Sequence, residues 1–111
     1  MTTHDLPLER RRCQPLEGHA PMDAADVDRH LAMVSGWTRT GDSIEKSFRF
    51  PDFHETMAFV NAVAHIAHRE DHHPLMTVTY AQCTLRFDTH SVGGISVNDF
   101  ICAAKVDALL A

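Results

Sequence analysis

Hydrophobic residues recur every three or four positions in three stretches of the chain, and this spacing predicts three helices. Each stretch follows a side chain that can accept a hydrogen bond from the free amides of a first helical turn, namely Asp23, Asp52 and Ser96. The first helix is expected to stop at Gly36. The second is expected to end near His72, because Pro74 disfavours the α conformation of the residue before it.

Between the helices, apolar residues alternate with polar ones, which predicts two antiparallel hairpins. The four strands are expected at 37–40, 43–50, 76–80 and 83–88. Lys46 shares the apolar face of its strand, which predicts either an edge strand or a long stem that carries the charge to the surface. The order α-β-β-α-β-β-α predicts an α+β fold, in which three helices cover one face of a four-stranded antiparallel sheet.

Length and composition predict one domain. A chain of 111 residues with 44% hydrophobic side chains can form a single compact core. We assign residues 21–111 to this domain. Residues 1–20 combine prolines with polar side chains, so we expect an extended or disordered segment there, with the basic run 10–12 in solvent.

Charge and cysteine content restrict the partners and the compartment. A net charge of −5 argues against nucleic acid as a partner, because nucleic-acid-binding domains usually carry a basic surface. No stretch approaches the roughly 18 apolar residues that cross a membrane, so no membrane association is expected. The three cysteines are too widely spaced for a zinc motif and too few for a disulfide framework, which favours a cytoplasmic location.

The candidate chemistry lies in the histidines, of which the chain has nine. His65, His68, His72 and His73 fall within nine residues, and His90 follows the fourth predicted strand. His68 and His72 are four residues apart, a spacing that allows two imidazoles on one helix face to bind a metal ion. No HExxH motif or nearby cysteine supports a metal site, and a polar helix face without any site is a further alternative.

The interpretation that we favour is a metal-free acid–base site at the end of the second helix. Pro74 holds His73 in an extended conformation, and the Asp71 carboxylate is adjacent to His72. The negative end of a helix dipole favours a protonated imidazole. If the fourth strand ends near this helix terminus, His90 completes a pocket of three histidines that can donate and accept protons.

At these residues the sequence closely resembles the pterin-4a-carbinolamine dehydratase family. The resemblance is carried, in this order, by Asp71-His72-His73-Pro74, Tyr80, Thr89-His90, Gly93-Gly94 and Asp99. Two further segments resemble those of bacterial members of the family, namely Pro15-Leu16-Glu17-Gly18 and Gly36-Trp37. It extends over roughly residues 13–110. It implies the fold predicted above and a homodimer or homotetramer. It also implies dehydration of 4a-hydroxytetrahydropterin to quinonoid dihydropterin, without a metal or organic cofactor.

The resemblance also implies roles for individual residues. His72 and His90 would be the acid–base pair, and His73 would line the pocket and hold the pterin. Asp71 and Asp99 would be supporting carboxylates, although Asp99 also has the spacing of a helix cap after Ser96. The supporting set is completed by Pro74 and Thr89.

Two features leave alternatives open. His68 stands where many family members have glutamate, so its place in the site is a departure from the pattern. The same fold also serves as a dimeric adaptor or assembly module in related proteins, which is the alternative to an enzyme. Five histidines are expected at the surface: His4, His19, His30, His54 and His65.

Overall fold

The computed structural model describes residues 6–111, and the order of its helices and strands confirms the sequence prediction. The elements are α1 (Ala24–Leu31), β1 (Thr38–Thr40), β2 (Ser43–Arg49), α2 (Phe53–Glu70), β3 (Leu75–Val78), β4 (Gln82–Phe87) and α3 (Val97–Ala108). Single 3₁₀ turns lie at Leu8–Arg10 and His90–Val92. Among the described residues, no helix is long and apolar enough to cross a membrane.

The four strands form one antiparallel sheet in the order β1-β2-β4-β3. The buried face of the two central strands carries Ile44, Phe48, Leu85 and Phe87, while the opposite face carries polar side chains such as Thr84. Because side chains alternate between the two faces of a strand, this pattern commits one face to the core. The helices cover that face, and α3 supplies a nearly continuous buried stripe.

Lys46 lies on a central strand, so its place on the buried face requires a long stem rather than an edge position. Its Nζ atom donates to the carbonyl oxygen of Ser35 and pairs with Asp107 Oδ1, both at 2.9 Å. The same Asp107 carboxylate accepts the indole N–H of Trp37 at 3.0 Å. The lysine charge is therefore paired at the edge of the core, as one of the two sequence-based alternatives predicts.

The three predicted caps are present. Asp23 and Asp52 accept hydrogen bonds from the backbone N–H groups of Asp26 and Glu55, each at 2.8 Å. Ser96 begins α3 with a reciprocal capping box, in which the Asp99 carboxylate accepts the Ser96 N–H. These side chains satisfy amides that have no partner within their helix.

The second hairpin is shorter than predicted. β3 ends at Val78, and Tyr80 lies in the connecting turn with 66% of its surface exposed. The Thr79 N–H donates to the Gln82 carbonyl at 2.8 Å, which closes the turn before the alternating pattern ends. Tyr80 instead stacks on Phe53 at the start of α2, with ring centroids 6.4 Å apart.

Part of the N-terminal segment is packed on the domain. Leu8 is buried in the hydrophobic core, and Arg12 pairs with Glu70 at 2.9 Å. The Arg12 side chain is nevertheless 53% exposed, so this pairing is compatible with the expected position of the basic run in solvent. Residues 1–5, including His4, lie outside the part of the chain that the structure describes.

Candidate active site

The end of α2 turns the chain so that His72 projects toward α3. Asp71 adopts the left-handed conformation with φ 51° and ψ 44°, which aspartate tolerates better than most residues. The Asp71 N–H donates to the His68 carbonyl, and the His72 N–H donates to the Ala67 carbonyl at 3.1 Å. This pair of bonds is a Schellman motif, and it fixes the direction in which His72 leaves the helix.

His72 is paired with Asp99 in the first turn of α3. The His72 Nε2 atom lies 2.6 Å from Asp99 Oδ1, and the Asp99 side chain is completely buried. The second oxygen, Oδ2, accepts the Thr89 hydroxyl and the Ser96 N–H, both at 2.9 Å. The carboxylate therefore has three donors, which is the pattern expected of a buried ionised group.

The two donors on Asp99 Oδ2 are themselves held in place. The Thr89 and Ser96 hydroxyl oxygens are 2.6 Å apart. Because Thr89 donates its hydrogen to Asp99, Ser96 donates to Thr89. Backbone hydrogen bonds in both directions between Thr89 and Gly94 close the loop after β4. The carboxylate that receives His72 is thus fixed by β4, its following loop and α3.

Phe87 fixes the plane of the His72 ring. The two rings are nearly parallel, with an interplanar angle of 5° and centroids 5.9 Å apart. Phe87 is buried at the end of β4, so the imidazole lies between the sheet and the start of α3. With its side chain 12% exposed, His72 still reaches a cavity.

The cavity beside His72 has a volume of about 230 Å³. Besides His72, its lining comprises Cys13, Gln14, Pro15, Leu16, Glu17, Glu70, Asp71, Thr89, Ser91 and Asn98. Most of these side chains carry a hydrogen-bonding group. The cavity can therefore hold a small polar ligand against an imidazole whose other nitrogen is held by a carboxylate.

Glu70 is the buried carboxylate of the cavity wall. Burial alone would raise its pKa, but the Cys13 N–H and the cations of Lys105 and Arg12 together lower the pKa below its usual value. Glu70 is therefore a fixed negative charge near neutral pH. It is paired with the N-terminal segment rather than available for proton transfer.

The structure brings only part of the predicted residue set into the cavity. Asp71, His72 and Thr89 line it, and Asp99 supports it through His72. His73 and His90 are exposed and do not line this cavity, although Thr89 and Ser91 on either side of His90 do. The remaining members of the set, His68 and Pro74, also lie outside the lining.

Two expectations about single residues need correction. The Asp71 carboxylate was expected to orient a neighbouring imidazole, but the carboxylate hydrogen-bonded to His72 is that of Asp99, and Asp71 provides the left-handed residue that ends α2. His30 was expected at the surface, but it is buried, with Nδ1 2.8 Å from the Asp26 carbonyl oxygen and its ring against Phe100. Its place on the apolar stripe of α1 was the available signal.

Sequence reasoning missed Glu70 and Asn98 as cavity residues. Each lies next to a residue that was identified, Asp71 and Asp99 respectively, so proximity to the motif was the available signal. Their partners are more than fifty residues away in sequence, and no local pattern reveals such a pairing. Across residues 6–111, no group of three histidine, cysteine, aspartate or glutamate side chains is arranged to hold a metal ion.

Comparison with known proteins assigns the family. The sequence profile described as pterin 4 alpha carbinolamine dehydratase matches residues 20–109. Proteins named for this activity in Nitrosospira multiformis and Stenotrophomonas maltophilia are 48% and 49% identical to the chain. The alignments cover 92% and 94% of this chain, and 91% and 92% of those proteins. The chain belongs to the pterin-4a-carbinolamine dehydratase family.

Solved structures agree with this fold. A crystal structure described as a transcriptional coactivator/pterin dehydratase from Brucella melitensis has a TM-score of 0.79 and 27% identity, and the match covers 82% of this chain and 99% of that one. A pterin dehydratase-like protein described as a RuBisCO assembly factor in the alpha-carboxysome shares the fold at a TM-score of 0.55 and 24% identity. That match covers 66% of this chain and 84% of that chain.

Proposed function

We propose that this protein dehydrates 4a-hydroxytetrahydropterin to quinonoid dihydropterin and water, with His72 as an acid–base residue. The observation that carries the proposal is the short His72–Asp99 hydrogen bond beside a cavity in a member of this family. The reaction removes a hydroxyl group from ring carbon C4a and a proton from a neighbouring ring nitrogen. It therefore needs one group that donates a proton and one that accepts a proton.

The hydrogen bond to Asp99 supports a defined proton arrangement on His72. A carboxylate oxygen only accepts, so a neutral His72 ring carries its proton on Nε2. Nδ1 has no hydrogen-bond partner among the described residues and is left for the substrate. In this proposal Nδ1 exchanges a proton with the substrate, while Asp99 stabilises the doubly protonated ring. Asp99 is a positioning residue because it acts through His72.

His90 supplies the second acid–base group in this proposal, and His73 holds the pterin. His90 follows Thr89 at the rim of the cavity and begins the 3₁₀ turn His90–Val92. A bound pterin that extends from the cavity over this turn would contact His90 from outside. Both histidines are exposed in the protein without substrate. In this proposal, substrate binding brings them to the reacting atoms.

We further propose that the reaction returns pterin to aromatic amino-acid hydroxylases in the cytoplasm. No metal or organic cofactor is needed, since histidines can perform both proton transfers. We also propose that the protein forms a homodimer or a homotetramer. Support comes from β3, an edge strand on which Leu75 is 63% exposed, because apolar edge strands tend to pair with another chain. Light scattering on the purified protein measures the oligomeric state.

The decisive experiment generates the carbinolamine and follows its dehydration by absorbance. We expect the protein to accelerate the reaction over buffer at neutral pH. Replacement of either His72 or His90 by alanine should lower turnover more than about tenfold, since one general acid or base contributes roughly 10²–10⁴ in rate. His65→Ala, at an exposed position on α2, is the matched control and should retain wild-type activity.

Two results would contradict the proposal. No acceleration by the wild-type protein would refute the enzyme and leave a non-catalytic adaptor of this fold. Equal activity of the His72, His90 and His65 variants would show that the acid–base groups lie elsewhere.

A further inference from the structure

Five consecutive residues of the N-terminal segment close one side of the cavity beside His72. They are Cys13 to Glu17, and we call residues 13–17 the N-terminal wall. The family profile begins at residue 20, so this part of the cavity lies outside the matched region. The wall has no helical or strand structure of its own. Its position therefore depends on the groups that hold it.

Glu70 is the first of these groups. Its Oε1 atom accepts the Cys13 N–H at 2.8 Å, and its Oε2 atom pairs with Arg12 Nε at 2.9 Å. The Glu70 side chain is only 2% exposed, whereas that of Arg12 is 53% exposed. Burying a carboxylate is costly unless it is paired. Here the partners that compensate this cost include Cys13, the first residue of the wall, and Arg12, the residue directly before it.

Asn98 is the second group. Its Oδ1 atom accepts the Gln14 N–H at 3.2 Å, and its Nδ2 atom donates to the Gln14 carbonyl at 2.8 Å. The amide side chain thus forms two bonds with the backbone of one residue, as a neighbouring strand would. Asn98 is buried at the start of α3, directly before Asp99. Two adjacent residues therefore hold His72 and the wall, Asp99 the first and Asn98 the second.

We propose that the N-terminal wall is a substrate-binding element of the dehydratase, and that Glu70 and Asn98 are positioning residues that hold it in place. This inference rests on the function proposed above. Pro15 and Leu16 provide apolar surface, which suits the faces of a flat bicyclic ring. Glu17 is exposed, and its carboxylate has no partner among the described residues, so it can accept from N–H groups on the ring edge.

Loss of the wall should affect substrate binding, measured by KM and Kd, and leave the chemical step, measured by kcat, unchanged. The wall acts on substrate in the ground state and the transition state alike, so its loss should raise KM without lowering kcat. Asn98→Ala removes both bonds to Gln14. We expect KM, and the Kd for 7,8-dihydropterin as a stable probe, to rise about tenfold, with kcat within about twofold of wild type. Asn61→Ala, an exposed asparagine on α2, is the matched control.

A second variant guards against a fold defect in Asn98→Ala. Pro15→Ala/Leu16→Ala shortens the side chains of the wall at positions outside the hydrophobic core, and it should raise KM and the Kd in the same way. Circular dichroism and thermal unfolding establish that each variant is folded.

The outcomes distinguish the two proposals. If the folded double variant keeps wild-type KM and Kd, the wall does not bind substrate. If Asn98→Ala lowers kcat with KM unchanged, Asn98 acts on the His72–Asp99 pair instead, and the proposal is wrong. A wild-type protein that binds 7,8-dihydropterin without accelerating dehydration refutes the proposed function, while the Kd series still tests the wall. A protein that does neither refutes both.

Discussion

Replacement of Asp99 by asparagine tests the His72–Asp99 pair most directly, because the two side chains have nearly the same shape. An asparagine oxygen can still accept from the Ser96 N–H and the Thr89 hydroxyl, as Asp99 Oδ2 does now. Its amide group then faces His72 Nε2, where both atoms would donate. The ring must give up the Nε2 proton and carry it on Nδ1, the atom that the proposed mechanism leaves free for the substrate.

The size of the effect follows from the contact that is lost. A hydrogen bond to a charged group contributes about 1.5–3 kcal/mol. Since about 1.4 kcal/mol corresponds to a factor of ten, we expect kcat to fall about 10- to 100-fold. The free energy of unfolding should fall by only about 1 kcal/mol, because the cap of α3 is retained.

The assay is carbinolamine dehydration under saturating substrate, with urea unfolding of the same preparations. Asp28→Asn, an exposed aspartate on α1, is the control and should leave both quantities unchanged. Wild-type turnover in a folded Asp99→Asn protein would refute the argument that this carboxylate sets the proton on His72. Loss of activity together with loss of the fold would show a structural role only.

Three further predictions concern residues outside this pair. The lowered pKa of Glu70 means that its stabilising contribution is complete above about pH 4.3 and is lost as the pH falls through the lower pKa of the folded state. In urea unfolding, Glu70→Gln should therefore reduce the free energy of unfolding by about 1 kcal/mol or more at pH 7 and by less at pH 3.5. A reduction that does not change with pH would contradict this. Gly36 has φ +86°, and an added Cβ would lie 3.0 Å from Lys46 Cε, so Gly36→Ala should lower the melting temperature by several degrees, corresponding to about 1–2 kcal/mol; an unchanged melting temperature would show that the turn relaxes freely. The contact with Cys13, 3.6 Å between sulfurs, and then burial raise the pKa of Cys102, so iodoacetamide should label Cys102 in the folded protein at least about tenfold more slowly than a free cysteine, as peptide mass spectrometry would measure.

The sequence predicted the fold well because its signals are local. Caps such as Asp52, the alternation along β4 and the stop before Pro74 each depend on residues within a few positions. Tyr80 was assigned to a strand because alternation alone does not show where a turn closes. Lys46 left two alternatives, and only the strand order decides between them.

The candidate site was predicted less completely because its contacts connect distant parts of the chain. His72 was identified from its motif, but its partner was uncertain, since Asp99 also had the spacing of a helix cap. In the structure Asp99 performs both roles with its two oxygens. The bonds from Glu70 and Asn98 to residues 13 and 14 have no counterpart in local sequence.

The double use of Asp99 ties the position of His72 to the integrity of one helical turn. If the first turn of α3 opens, the Ser96 N–H and the His72 ring lose the same carboxylate together. Under the proposed mechanism, local opening of this turn inactivates the protein without global unfolding. Amide hydrogen exchange at Ser96 would report, under native conditions, the fraction of molecules whose site is assembled.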